Sequence, residues 1–64
     1  MTILTDDQAA LLLRVTPHTL RRWRARGIGP AWLKLVGSIR YLEDDLLSFA
    51  AAARKHPHTE AGND

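Results

Sequence analysis

Apolar positions along this chain change period several times, and each change marks an element. In "TDDQAALLLRV" the apolar residues Ala9, Ala10 and Leu13 recur at helical spacing, with Leu12 beside them and Leu11 pointing elsewhere. Thr5 and Gln8 stand three apart as a capping box, and Asp6 and Asp7 fill a first turn where the helix dipole favours acids. The pattern predicts a first helix over about Asp6–Leu13, with Leu4 as the outer half of a hydrophobic staple. Arg14-Val15 leaves room only for a tight turn before Thr16 caps a second helix, with Pro17 at its first position and Gly27 as its stop after Arg26. Two helices joined this closely must cross at a steep angle, which outlines a helix-turn-helix.

After the Gly29-Pro30 break the period shortens to two. "WLKLV" and "IRYL" flank Gly37-Ser38, and glycine at the first loop position predicts a two-residue type II′ hairpin. That turn would set Val36 opposite Ile39 and Lys34 opposite Tyr41. Trp32, Lys34 and Val36 share one face, and Leu33 and Leu35 the other. An isolated hairpin is barely stable in water, so this one must lean on the helices. Glu43, Asp44 and Asp45 then make an acidic first turn for a third helix, about Asp44–Arg54, with Leu46, Phe49, Ala50 and Ala53 as its buried stripe. "HPHTEAGND" carries no apolar periodicity. The reading is one domain over residues 1–54, mainly α with a small β-hairpin, and a disordered tail over 55–64.

Length and composition narrow the function. A chain of 64 residues is at most one domain and buries only about 60% of its unfolded surface. That leaves no room for a catalytic cleft assembled from several loops. There is no cysteine, hence neither a disulfide framework nor a cysteine-ligated metal site. Nothing resembles a signal peptide or a membrane span, so the expected location is the cytoplasm or nucleoid of a bacterial host, without a membrane partner. No cofactor is expected, and no catalysis. His56 and His58 form a solvated pair lacking a third ligand, and His18 stands alone on the second helix.

Charge changes the picture more by placement than by sum. The net charge is only +2, but no acid lies between Gln8 and Leu42, an interval holding Arg14, Arg21, Arg22, Arg24, Arg26, Lys34 and Arg40. Such segregation suits a polyanionic partner. On the second helix Leu20 and Trp23 fall within about 60° of each other and must face the core. His18, Arg21, Arg22 and Ala25 occupy the opposite sector, and Arg24 and Arg26 flank the core stripe. A merely solvated helix would intersperse glutamates, and this one has none. A helix fits the DNA major groove, where arginine can hold guanine O6 and N7 with two parallel N–H groups. The Thr16 and Thr19 hydroxyls suit backbone phosphates. Lys34 and Arg40 project from the hairpin as a second contact, and the Tyr41 hydroxyl suits a phosphate. Trp23, Trp32 and Phe49 are expected in the core. The DNA-contact set is therefore Thr16, His18, Thr19, Arg21, Arg22, Arg24, Lys34, Arg40 and Tyr41.

"LTDDQAALLLRVTPHTLRRWRARGIGP" followed by "LKLVGSIRYLEDDLLSF" resembles the excisionase-like, MerR-type winged helix-turn-helix domains of phages, plasmids and actinobacteria. The resemblance runs from about Leu4 to Phe49. It implies a winged fold and a sequence-specific double-stranded DNA binder without catalytic activity. It places Thr16, Thr19, Arg21 and Arg22 on the DNA-facing helix, Trp23 as the buried aromatic, and Arg40 and Tyr41 in the wing. Asp45 matches an acid that caps the last helix or pairs with a wing arginine. Arg14 departs from the pattern, standing where such domains often carry Gly or Asn, and "LVGS" is less basic than many wing tips.

Three roles follow as expectations. The first is an excisionase, a directionality factor that assists the integrase of a phage or other mobile element in recombination. The second is a small transcriptional regulator built on the same domain; the absence of a ligand-binding or long dimerisation segment argues against an effector sensor. The third is a protein-interaction module, such as an antitoxin, working through "FAAAARK" and the tail. A single small domain makes few contacts, so cooperative self-association on DNA is expected, helped by neighbours or by the recombinase.

Overall fold

In the computed structural model the described residues are 1–55, and the tail with His56 and His58 lies outside them. The order is β1 (Ile3–Leu4), α1 (Asp6–Leu13), α2 (Pro17–Arg26), β2 (Leu33–Leu35), β3 (Ser38–Leu42) and α3 (Glu43–Ala52). Three helices pack against a small antiparallel sheet of strand order β1-β3-β2, a winged helix-turn-helix. No helix among the described residues is long and apolar enough to cross a membrane.

The local signals act as their chemistry requires. The Thr5 hydroxyl accepts from the Gln8 amide at 3.2 Å, and the Gln8 side chain accepts from the Thr5 amide at 2.9 Å, closing the capping box. Thr16 caps α2 by accepting from the Thr19 amide at 3.1 Å. Gly27 ends α2 at φ 72. Arg14 ends α1 in the left-handed region, φ 60, with its N–H directed at the Ala10 and Leu11 carbonyls. The short turn thus keeps the geometry of a Gly or Asn cap with arginine in its place, at a cost of about 1–2 kcal/mol.

The core is small. Ala9, Ala10, Leu20, Tyr41 and Leu46 are buried, with Leu4, Leu13, Val15, Trp23 and Ile39 packed around them. The two alanines of α1 let α2 come close, and Leu20 fills the space between them. Trp23 and Phe49 meet at 5.6 Å between ring centroids, tilted by 54°, and join α2 to α3. Gly29 is held at φ 89, where a Cβ would lie 3.0 Å from both Cβ and Cε3 of Trp23. Here glycine meets two demands, a left-handed backbone and close approach to an indole.

Several expectations change. β1 had no signal in the sequence: two residues are too few to show a period, yet Ile3 pairs with Leu42 and Leu4 with Tyr41. The Glu43 amide then donates to the Thr2 carbonyl at 2.9 Å, so the N-terminal segment helps to start α3. The hairpin turns at Val36-Gly37 rather than Gly37-Ser38, pairing Leu35 with Ser38, Lys34 with Ile39 and Leu33 with Arg40. Both loop residues have positive φ, 48 and 87, as a type I′ turn demands. The slip is two residues, so every side chain keeps its expected face, and alternation alone could not have fixed the register. Trp32, expected in the core, is 42% exposed. α3 begins one residue early and ends at Ala52, leaving Ala50 and Ala53 exposed rather than buried. Asp45 makes neither a side-chain cap nor an ion pair among the described residues.

The Gly29 geometry makes a direct prediction. Gly29→Ala must move the Trp23 ring as well as strain the backbone, whereas Gly27→Ala, with nothing within 4 Å of its new Cβ, bears the backbone cost alone. Urea titration should show a loss of about 1–2 kcal/mol for Gly27→Ala and a clearly larger loss for Gly29→Ala.

Candidate nucleic-acid interface

The candidate interface is built on α2, whose two sides differ in kind. Leu20 has no exposed surface, and Trp23 is half-buried one turn later. On the opposite side His18, Arg21, Arg22 and Ala25 are exposed. Neither Arg21 nor Arg22 makes a salt bridge or side-chain hydrogen bond among the described residues; the ion pair found there is Arg24–Asp6. Both are exposed and uncompensated by acids among the described residues. Lys34 and Arg26 are likewise exposed. This arrangement can offer planar double donors to phosphate or guanine without first breaking an ion pair within the protein.

Arg24 is placed otherwise, and this corrects the expectation for it and for Tyr41. Arg24 Nη1 donates to Asp6 Oδ1 at 2.6 Å and Nη2 to Asp6 Oδ2 at 3.2 Å, a bidentate pair. Nη1 also donates to the Tyr41 hydroxyl at 2.6 Å. The guanidinium carbon lies 5.9 Å from the ring centroids of both Trp32 and Tyr41. Tyr41 is 1% exposed, so its hydroxyl is spent on Arg24 and does not reach a phosphate. These residues form a clamp: Asp6 from the start of α1, Arg24 from α2 and Tyr41 from β3. Trp32 covers it from outside. Above all the hydrogen bond to Asp6, opposed by burial and aided by Tyr41, holds the Arg24 pKa above its ordinary value. A cation whose folded pKa is raised contributes its stability fully below the unfolded pKa. Arg24 therefore stays charged at every ordinary pH.

The remaining expected residues are partly committed. The Thr16 and Thr19 hydroxyls lie 2.9 Å apart and hydrogen-bond each other, with Thr16 also occupied as the cap. Arg40 is half-buried and donates through Nη1 to the Ile39 carbonyl at 2.7 Å, which bends it back along its own strand. The exposed basic residues of the helix-turn-helix and wing are thus His18, Arg21, Arg22 and Arg26 on α2, Lys34 on the wing and Arg14 at the turn, while Arg54 and Lys55 are exposed beyond α3. Arg14 and Arg26 were absent from the expected set; Arg26 was placed beside the core stripe. For Arg14 the lack of any acid neighbour in sequence was the one signal available.

The clamp can be tested through stability. Asp6→Ala leaves a part-buried guanidinium without its carboxylate and should cost about 1–3 kcal/mol in urea titration. Arg24→Met leaves both the Asp6 carboxylate and the buried Tyr41 hydroxyl without their donor and should cost at least as much as Asp6→Ala.

Comparison with known proteins agrees with this geometry at the level of the fold. No curated protein and no solved structure matches the chain. A family described as a helix-turn-helix domain matches residues 3–54, a span that takes in β1, both helices of the turn, the wing and α3. The chain belongs to the helix-turn-helix domain family.

Proposed function

We propose that the chain is a sequence-specific double-stranded DNA-binding protein that inserts α2 in the major groove and works without catalysis or cofactor. The observation that carries this reading is the pair Arg21 and Arg22, exposed opposite buried Leu20 and unpaired among the described residues. Within the family we place it with the excisionase-like, MerR-type winged domains. Its role is then that of an excisionase acting beside an integrase in the bacterial cytoplasm or nucleoid. The support for this finer role is the resemblance of "VTPHTLRRW", "GIGP" and "IRY" to those domains. Self-association on DNA belongs to the same proposal, since so small a contact surface binds one half-site weakly.

Duplexes selected from a randomised pool provide the probe. Charge reversal of Arg21 and Arg22 together should lower affinity by roughly 100-fold or more, with circular dichroism unchanged. Retained DNA binding would remove α2 as the interface, whereas a protein interaction working through α3 would survive the same charge reversal. Neutralising about five phosphates predicts a slope of log K against log salt of roughly −4 to −5, and a slope near zero contradicts the electrostatic basis. Lys34→Ala should weaken binding to all sequences alike, whereas Arg21→Ala should relax preference at one base. For the finer role, a recombination assay with the integrase encoded nearest the gene should show excision that depends on the chain. A change in promoter activity without any change in excision would indicate a regulator instead.

A further inference from the structure

Arg14 stands where the fold asks for glycine. It ends α1 at φ 60, in the left-handed region that Gly or Asn enters more readily than a long side chain does. The backbone around it is pinned. Its own N–H is directed at the Ala10 and Leu11 carbonyls, and the Val15 amide donates to the Ala10 carbonyl at 2.9 Å. Val15 packs against the core, so Arg14 cannot relax without moving its neighbour. The side chain is exposed and pairs with no acid among the described residues. One return within the chain is open to it: a cation at the C-terminal end of α1 meets the negative end of the helix dipole. At an exposed position that gain is smaller than the left-handed cost. The arginine is a net burden on the fold, and its side chain has a use outside it.

Charge and position indicate the partner. No acid lies between Gln8 and Leu42, so the segment around Arg14 attracts anions. Within that interval Arg24 is bound to Asp6 and Arg40 is bent back onto the Ile39 carbonyl, whereas Arg14 has no such commitment among the described residues. Arg14 also lies two residues before Thr16, the cap of α2, so their Cα atoms are no more than about 7 Å apart. A helix whose first turn reaches base edges in the major groove is preceded by chain that leaves the groove past a wall of phosphates. Arg14 belongs to that chain. Its planar, permanently charged fork suits a pair of phosphate oxygens.

We propose that Arg14 binds a backbone phosphate at the edge of the groove entered by α2, and that the strained turn is kept for this contact; the proposal rests on the DNA-binding function proposed above. The pinned backbone launches the guanidinium from a fixed base, so the contact positions α2 as well as adding affinity. Phosphate carries no sequence code, so Arg14 strengthens binding to every duplex alike and leaves base preference to α2.

Three variants separate charge from strain, and the probe is a duplex selected with the wild-type chain. Arg14→Gly removes both, Arg14→Gln removes the charge alone, and Arg14→Lys keeps both. Arg14→Gly should melt roughly 2–6 °C above wild type yet bind about fivefold to tenfold more weakly. Arg14→Gln should bind as weakly without that rise in melting temperature, and Arg14→Lys should stay within about threefold of wild type. In both uncharged variants the slope of log K against log salt should become shallower by about 0.9, a readout that a purely structural role would not move. Neutral methylphosphonates, placed one at a time along the duplex, identify the partner. One of them should weaken wild type about as much as Arg14→Gly does, and should weaken Arg14→Gly no further. If no position behaves so, or if Arg14→Gly keeps the affinity and slope of wild type, the proposal is overturned while binding through Arg21 and Arg22 stands. A lower melting temperature with unchanged affinity would assign the arginine to the fold and overturn it too. Unchanged affinity with loss of excision beside the integrase would assign it to a protein partner, with the same result. If wild type retains no duplex from the pool, the DNA-binding reading falls and this proposal with it.

Discussion

Arg24 is the point through which the rest of this structure is held. Its guanidinium binds Asp6 with two hydrogen bonds and Tyr41 with one, and so ties the start of α1 and the central strand β3 to the last turn of α2. The apolar core beneath consists of two alanines, two leucines and a tyrosine. A core this small sets the position of a helix but resists its rotation weakly. The clamp adds directional bonds on one flank of the Leu20 stripe, and the Trp23–Phe49 contact fixes the other. With both flanks fixed, α2 cannot roll, and Arg21 and Arg22 are left facing outward. One arginine of the basic block is therefore spent on aiming the others.

This division of labour explains what was legible in the sequence. Caps and helix limits were readable because each depends on residues within four positions: Thr5 with Gln8, Thr16 with Thr19, Gly27 after Arg26. The outward face of α2 was readable because only Leu20 and Trp23 could face inward. The clamp was not. Helical position sets Arg24 beside the core stripe and Arg22 opposite it, but nothing local supplies the partners of Arg24, which are Asp6, 18 residues away in sequence, and Tyr41. The same long-range dependence hid β1, whose two residues acquire meaning only by pairing with Leu42 and Tyr41. Hairpin register was hidden for a different reason. A shift by two preserves every facing, so it is decided by the turn's dihedral angles and not by the hydrophobic pattern.

Two turns hold non-glycine residues in the left-handed region, Arg14 and Val36. Both are exposed, and at both glycine or asparagine would serve the fold better. In a chain whose stability margin is a few kcal/mol, two such positions are a substantial concession. They lie at the turn before α2 and at the wing tip. Within the wing, β3 supplies Tyr41 to the core while the turn leaves Val36 exposed.

The central claim is that α2 turns its exposed side to a DNA groove while α3 faces away from it. Mapping backbone amide shifts of the isotope-labelled chain during titration with a selected duplex tests this most directly. The account predicts the largest changes at Thr19–Arg22 and Lys34–Ser38, with Ala50–Ala53 of the α3 end unmoved. Changes concentrated at Ala50–Ala53, with Arg21 and Arg22 silent, would contradict it.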